Sequence, residues 1–343
     1  MWFTITLVVI LFIICLGAAA YETWMERKVA AFMQDRIGPN RAGKFGLLQP
    51  LCDGGKLFFK EDFIPRNAEK WLFIIAPGVL MLIALSTGAV IPWGKSLLIG
   101  GVSYPVQVAS IDVGILYIMG IVSVGVYGIM LGGWASNNKY SLLGAIRASS
   151  QMISYELAMG LSLLSIIMMS GTLDLRIIVE QQATSLYGMG WNVLYQPLAF
   201  ILFVTCSFAE LNRAPFDLAE CESELVGGYH TEYGSMKFGT FLFAEYINMF
   251  INSALISVLF FGGYSFPFMN ELAQKGILGE NAIGILSIIA FLIKITVCIF
   301  CFMWVRWTLP RFRYDQLMHL GWRVMIPLAV LNLLITASVV VFK

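Results

Sequence analysis

Charge is what this sequence has least of. Asp, Glu, Lys and Arg make up only 13% of its 343 residues, against about 25% in a soluble domain, which excludes an ordinary water-soluble globule. The net charge is +1, which excludes an acidic tail and the basic surface that a nucleic-acid partner needs. The two histidines, His230 and His319, are too few and too badly placed to ligate haem or an iron–sulphur cluster unaided. Any electrons handled here therefore belong to a partner. The six cysteines show neither disulfide nor zinc spacing. Cys298 and Cys301 form a C-x-x-C inside the apolar run ITVCIFCFMW, where inert membrane-buried thiols are expected. No Lys or Arg precedes Arg27, so the first apolar stretch lacks a signal peptide's basic region, although its GAAA resembles a cleavage site. An uncleaved helix is expected.

What the chain has is hydrocarbon: 59% of its residues are hydrophobic and mean hydropathy is +0.79. Crossing a bilayer takes about 20 mostly apolar residues in a helix. Eight segments qualify, approximately 2–21, 71–92, 113–133, 147–170, 195–211, 239–262, 283–306 and 322–342; the fifth is short and the fourth begins polar. The connections on one side carry seventeen Lys and Arg, those on the other only Lys95, Arg176, Lys275 and Lys343. By the positive-inside rule both termini lie outside, and loops 22–70, 134–146, 212–238 and 307–321 face the cytoplasm. The expectation is an all-α polytopic membrane protein of eight transmembrane helices, a single membrane domain over 1–343, with no internal repeat.

In the first cytoplasmic loop, FGLLQPLCDGGKLFFKEDFIP reads as an amphipathic helix lying on the membrane. Leu47, Leu48, Leu51, Phe58 and Phe59 share one arc, Asp53, Lys56 and Lys60 the opposite one, and Leu57 is a misfit. A loop helix packed under a soluble partner is the alternative, and Gly54-Gly55 weakens the helix. Upstream, Gly38-Pro39-Asn40 marks a turn. The flanking Arg27, Lys28, Arg36, Arg41 and Lys44 alternate with Glu26 and Asp35, as on an ordered contact surface.

The scarce acids cluster. ELNRAPFDLAECESELV carries Glu210, Asp217, Glu220, Glu222 and Glu224. Pro215 suits the first position of a helix and Asp217 its first turn, with Gly227-Gly228 as the stop. Asp217, Glu220 and Glu224 then share a face, which a solvated surface would explain. Glu222 falls among Leu218, Ala219, Leu225 and Val226, where a carboxyl is driven toward physiological proton exchange. Within spans lie Glu156, roughly 15 Å from the cytoplasmic end of the fourth, then Glu210, Glu245 and Lys294. Intramembrane ionisable groups are functional candidates by default, although a packing ion pair between Lys294 and one of the acids would also account for them. The acids descend from the cytoplasmic loop toward mid-membrane, the shape of a proton entry path.

The segments ERKVAAFMQDRIGPNRAGKFGLLQPLCDGGKLFFKE and AELNRAPFDLAECESELVGGYHTEYGSMKFG resemble the two signatures of the H-subunit family of respiratory complex I, the proton-pumping NADH–quinone oxidoreductase. SNNKYSLLGAIRASSQMISYE and RWTLPRFRYDQLMHLGW fit the same family, so the likeness covers essentially the whole chain. It implies a quinone chamber involving Arg27, Arg36, Asp53, Lys56 and Arg213. It implies proton coupling through Asp217, Glu220, Glu222, Glu224 and Glu232, and a proton path through Tyr155, Glu156, Glu210, Glu245 and Lys294. It further implies quinone as substrate, no catalytic residue, metal or cofactor on this chain alone, and FMN and iron–sulphur clusters in partners. Those partners are hydrophilic-arm quinone-site and iron–sulphur subunits, small membrane subunits and antiporter-like subunits, in a bacterial inner membrane. Two departures stand out: Cys221 followed by GGYH, and Gly54 where relatives carry Ala.

Two alternatives remain at this point. A stand-alone proton-coupled transporter would suit eight spans, but paired inverted halves are missing. The membrane anchor of a related energy-converting hydrogenase would suit the fold, but the complete GPNRAGKFGLLQP segment leans against it.

Overall fold

A computed structural model describes residues 2–184, 190–218, 225–269, 271 and 279–342. It is built of α1 (Trp2–Met33), α2 (Gln49–Phe59), α3 (Lys70–Thr87), a hairpin of β1 (Gly94–Ile99) and β2 (Val102–Val106), α4 (Gly114–Ala135), α5 (Lys139–Ser170), α6 (Leu175–Thr184), α7 (Asn192–Tyr195), α8 (Pro197–Glu210), α9 (Ser235–Phe260), α10 (Glu280–Thr308) and α11 (Tyr314–Val341). Among the described residues seven helices, α1, α3, α4, α5, α9, α10 and α11, are long and apolar enough to cross a membrane. The fifth expected span is the shorter α8, of 14 residues, about 21 Å of helix against a hydrocarbon core of about 30 Å.

Several helices outrun the apolar segments read from sequence. α1 continues past residue 21 to Met33, because no Gly or Pro interrupts residues 18–37. Glu22, Glu26 and Arg27 are thereby fixed on a helix rather than in a loop. α5 begins at Lys139 instead of 147, capped by the Asn138 side chain, which accepts from the Tyr140 amide. α11 begins at Tyr314 and passes through a π-helical turn at Leu320–Met325. The helix expected from Pro215 does not start there: residues 214–218 form a turn and irregular backbone. The Gln151 side chain holds that segment by donating to the Ala209 and Phe216 carbonyls at 2.7 and 2.8 Å, and so competes with helix formation. Glu220, Cys221, Glu222 and Glu224 lie outside the described residues. The β1–β2 hairpin was not expected; its Gly100-Gly101 corner, both at positive φ, is a two-residue hairpin signal.

Large apolar side chains line the outside, Ile13, Ile293 and Leu334 among them, while small polar ones lie within. Asn332 of α11 donates to Ser165 of α5 at 2.9 Å and to Gln196 at the head of α8 at 3.2 Å. Such polar ties join helices that gain nothing from hydrophobicity inside lipid. Glycine permits the closest approach: a Cβ on Gly144 of α5 would lie 2.8 Å from the Gly228 Cα and 2.9 Å from the Tyr229 amide nitrogen. Gly144→Ala is therefore expected to push away the 225–234 segment and cost about 1–3 kcal/mol. Faster hydrogen exchange in 225–234 would register it. Gly160→Ala, whose Cβ would meet only a Met119 methyl at 3.8 Å, should leave exchange there unchanged.

Candidate functional site

α1, α2 and α9 enclose a cavity of about 410 Å³ at the end of α1, within the range of small-molecule sites. Arg27, Arg36, Asp53 and Lys56 all line it, beside Glu26, Gly54, Leu57, Phe243, Tyr246 and Trp307. Arg27 Nη1 meets Asp53 Oδ2 at 2.7 Å, and Gln49 donates to Asp53 Oδ1 at 3.1 Å. Charged and apolar side chains thus share the lining, a combination that suits an amphiphile with a polar head.

The amphipathic helix is α2, with a change in what its faces do. Leu51, Phe58 and Phe59 stand outward, 70%, 70% and 94% exposed, as an interfacial helix requires. On the opposite arc Asp53 and Lys56 line the cavity, while Lys56 and Lys60 also keep solvent exposure. The misfit Leu57 is explained by packing, since it is the nearest neighbour of Gly239 on α9. Its carbonyl also accepts from Ser235 Oγ at 3.1 Å.

Behind the cavity lies a buried ion cluster. Arg213, 2% exposed, donates through Nη1 to Glu26 at 3.1 Å and through Nε to Glu245 at 3.0 Å. Glu26 also accepts from Arg306 Nη1 at 2.5 Å and from the Tyr246 hydroxyl at 2.8 Å, and the Arg213 guanidinium stacks 4.4 Å over the Tyr246 ring. Burial by itself would lower the Arg213 pKa, but Glu245 and Glu26 outweigh it and hold the guanidinium well above its ordinary range. Glu26 is the shared wall: one face of its environment is the cavity, the other the cluster.

Further in, a cavity of about 30 Å³ is bounded by Glu245, Glu210, Asn212 and Asn248, room for one water. Beyond Glu210 a second, of about 20 Å³, adjoins Asn252. Glu156 is within electrostatic range of Glu210 and is hydrogen-bonded by Ser123 of α4. Glu245, Glu210 and Glu156 are thus brought into series.

Other sequence-predicted residues have different surroundings. Asp217 pairs with Arg311 at 3.5 Å. Glu232 accepts from Asn138 at 2.5 Å and so fastens the loop to the α5 cap. The Tyr155 hydroxyl donates to the Leu317 carbonyl at 2.9 Å, beside the π turn of α11. Among the described residues Lys294 is in no ion pair with the acids: its Nζ donates to the Phe261, Gly263 and Ser265 carbonyls at 2.7, 2.8 and 2.6 Å, ending α9 rather than neutralising a carboxylate. Sequence reasoning missed Glu22, Arg306 and Tyr246 and gave Glu26 no specific role. The legible signal was Glu22 and Glu26 four residues apart on a helix with no breaker before Gly38.

Comparison with known proteins agrees with the resemblance. The family described as NADH dehydrogenase matches residues 5–337. The chain belongs to this family. It is 58% identical to the H subunit of NADH-quinone oxidoreductase from Flavobacterium johnsoniae, over 97% of this chain and 93% of that protein. It is 60% identical to the H 1 subunit of the same enzyme from Cytophaga hutchinsonii, over 97% and 95%. A more distant member, NADH-quinone oxidoreductase subunit 8 of Rhodothermus marinus, is 47% identical over 93% and 92%. The cavity and the ion cluster are built wholly from residues inside the matched segment of the NADH dehydrogenase family.

Proposed function

We propose that this chain is the membrane subunit of NADH–quinone oxidoreductase that forms much of the quinone access chamber. In this reading it couples quinone reduction to proton translocation through carboxylates. The observation that carries the reading is that Glu26 belongs both to the charged cavity and to the buried ion cluster, whose Glu245 begins the carboxylate series. A quinone head group would meet the Arg27–Asp53 pair, Arg36 and Lys56, and its isoprenoid tail would lie along Leu57, Leu242, Phe243 and Trp307. A change of charge there acts on Glu26, hence on Arg213 and Arg306, and through Arg213 on Glu245. Proton movement then continues by way of Glu210 toward Glu156.

In this reading the chain is a single eight-span domain of the bacterial inner membrane with both termini outside. α8 is the short fifth span. The 212–238 loop, with Asp217, Glu220, Glu222, Glu224 and Glu232, faces the hydrophilic-arm subunits that carry FMN and iron–sulphur clusters. The small membrane subunits and antiporter-like subunits continue the proton route.

Gly54 offers the test. It lines the cavity, and a Cβ there would meet nothing within 4 Å. Gly54→Phe is expected to project a ring into the cavity and reduce NADH-driven quinone reduction at least tenfold in the assembled complex. Electron transfer from NADH to a water-soluble acceptor should stay intact. Gly54→Ala should be close to neutral. Undiminished quinone reduction in Gly54→Phe would remove this cavity from the quinone route.

A further inference from the structure

Among the described residues, the ion cluster contains one acid more than it has cations. Arg213 and Arg306 are its two guanidiniums, and Glu26 and Glu245 are the carboxylates bonded to them. Glu22 is a third. It lies one turn before Glu26 on α1, about 6 Å deeper along the helix, is 4% exposed, and neither of its carboxyl oxygens has a hydrogen-bond partner among the described residues. It belongs electrostatically to the same group, interacting with Arg213 and Glu26. Arg213 in turn keeps one nitrogen, Nη2, buried and unpartnered. The titratable and charged groups around Glu22 are Cys15 and Glu26 on its own helix and Arg213 from the α8–α9 connection. Glu245 and Tyr246 of α9 and Arg306 of α10 complete the cluster through Arg213 and Glu26.

Uncompensated charge inside protein or lipid is costly. Three carboxyls and two guanidiniums sum to zero only when the cluster holds one proton. Glu26 and Glu245 are each bonded to a guanidinium, and Glu22 is bonded to none. We propose that Glu22 is the proton-holding carboxyl of this cluster, a loading site one step behind the cavity wall. Transfer of that proton to Glu26 breaks the O–H bond on Glu22 and forms one on Glu26. The net charge of the cluster is unchanged, and the ionised Glu22 becomes a partner for the unused Nη2 of Arg213. What the proton does in turnover rests on the coupling reading above; its presence on Glu22 does not.

The test is infrared difference spectroscopy on the assembled complex in lipid, perfused between neutral and alkaline buffer with no quinone added. The expected result is that the wild type loses a carboxylic-acid carbonyl band, shifted in deuterated buffer, that is missing from Glu22→Gln and displaced in frequency in Glu22→Asp. Identical spectra from wild type and Glu22→Gln would overturn the proposal. If Glu22→Gln does not assemble, a Glu22→Asp spectrum superimposable on wild type would overturn it equally. A second recording, during NADH-driven quinone reduction, separates the two readings. A Glu22 band that responds to turnover supports both. A band seen on alkalinisation but silent in turnover keeps the proton on Glu22 and refutes its coupling to quinone.

Discussion

Replacing Arg213 by Met is expected to abolish quinone reductase activity and to release or destabilise the subunit. One guanidinium binds Glu26 and Glu245 through two different nitrogens, so its removal leaves two buried carboxylates short of a counter-charge. Breaking a buried pair from one side costs about 3–5 kcal/mol, a large part of a typical folding free energy of about 5–15 kcal/mol. Arg213→Lys should recover only part of the loss, because a single ammonium cannot reproduce the guanidinium's planar fork. Retention of the subunit on native gels, with quinone reduction measured on the same preparation, checks this. Wild-type activity in Arg213→Met would show that the cluster tolerates the missing charge and would detach it from function.

The second large effect is expected at Glu210. Unlike Glu26 and Glu245 it has no cation bonded to it among the described residues, and its Oε2 is buried without a partner. A small cavity lies on each side. Its hydrogen-bond partner is the Asn252 side chain of α9, and in the coupling reading proposed above these surroundings suit a group that passes a proton on. Glu210→Gln keeps the shape and removes the exchangeable acid. It is expected to lower quinone-linked proton translocation at least tenfold in proteoliposomes while assembly persists. Glu210→Asp, which restores the acid on a shorter arm, should recover a measurable fraction. Translocation at the wild-type rate in Glu210→Gln would mean that protons bypass this residue.

Much of this was written in the sequence, in a specific sense. Long apolar runs at helical length announced the bilayer helices, because lipid leaves the backbone few other ways to satisfy itself. The surface helix was visible in its period, down to the misfit Leu57 that turned out to face α9. The acids Glu156, Glu210 and Glu245 could be selected because carboxylates in apolar runs are rare. Where helices end was harder to read. Hydropathy stops at residue 21, whereas backbone hydrogen bonding continues to Met33, and the two acids on that extension complete the cluster. Pairing was not legible either. That Arg213 would reach α1 across 187 positions, or that Lys294 would bind three carbonyls, follows from packing that no local pattern encodes. The helix start expected at Pro215 is absent over 215–218, where a distant amide, Gln151, ties the backbone.

The bonds from Lys294 bear on how the molecule can move. They pin the far end of α9 to the middle of α10, and loosening them would strand an ammonium among hydrocarbon side chains. Glu245 sits on the same rigid rod, about 22 Å from that pin. A tilt of α9 about that pin would therefore displace Glu245, which bonds Arg213 and borders the small cavity shared with Glu210, further than the helix end that Lys294 holds.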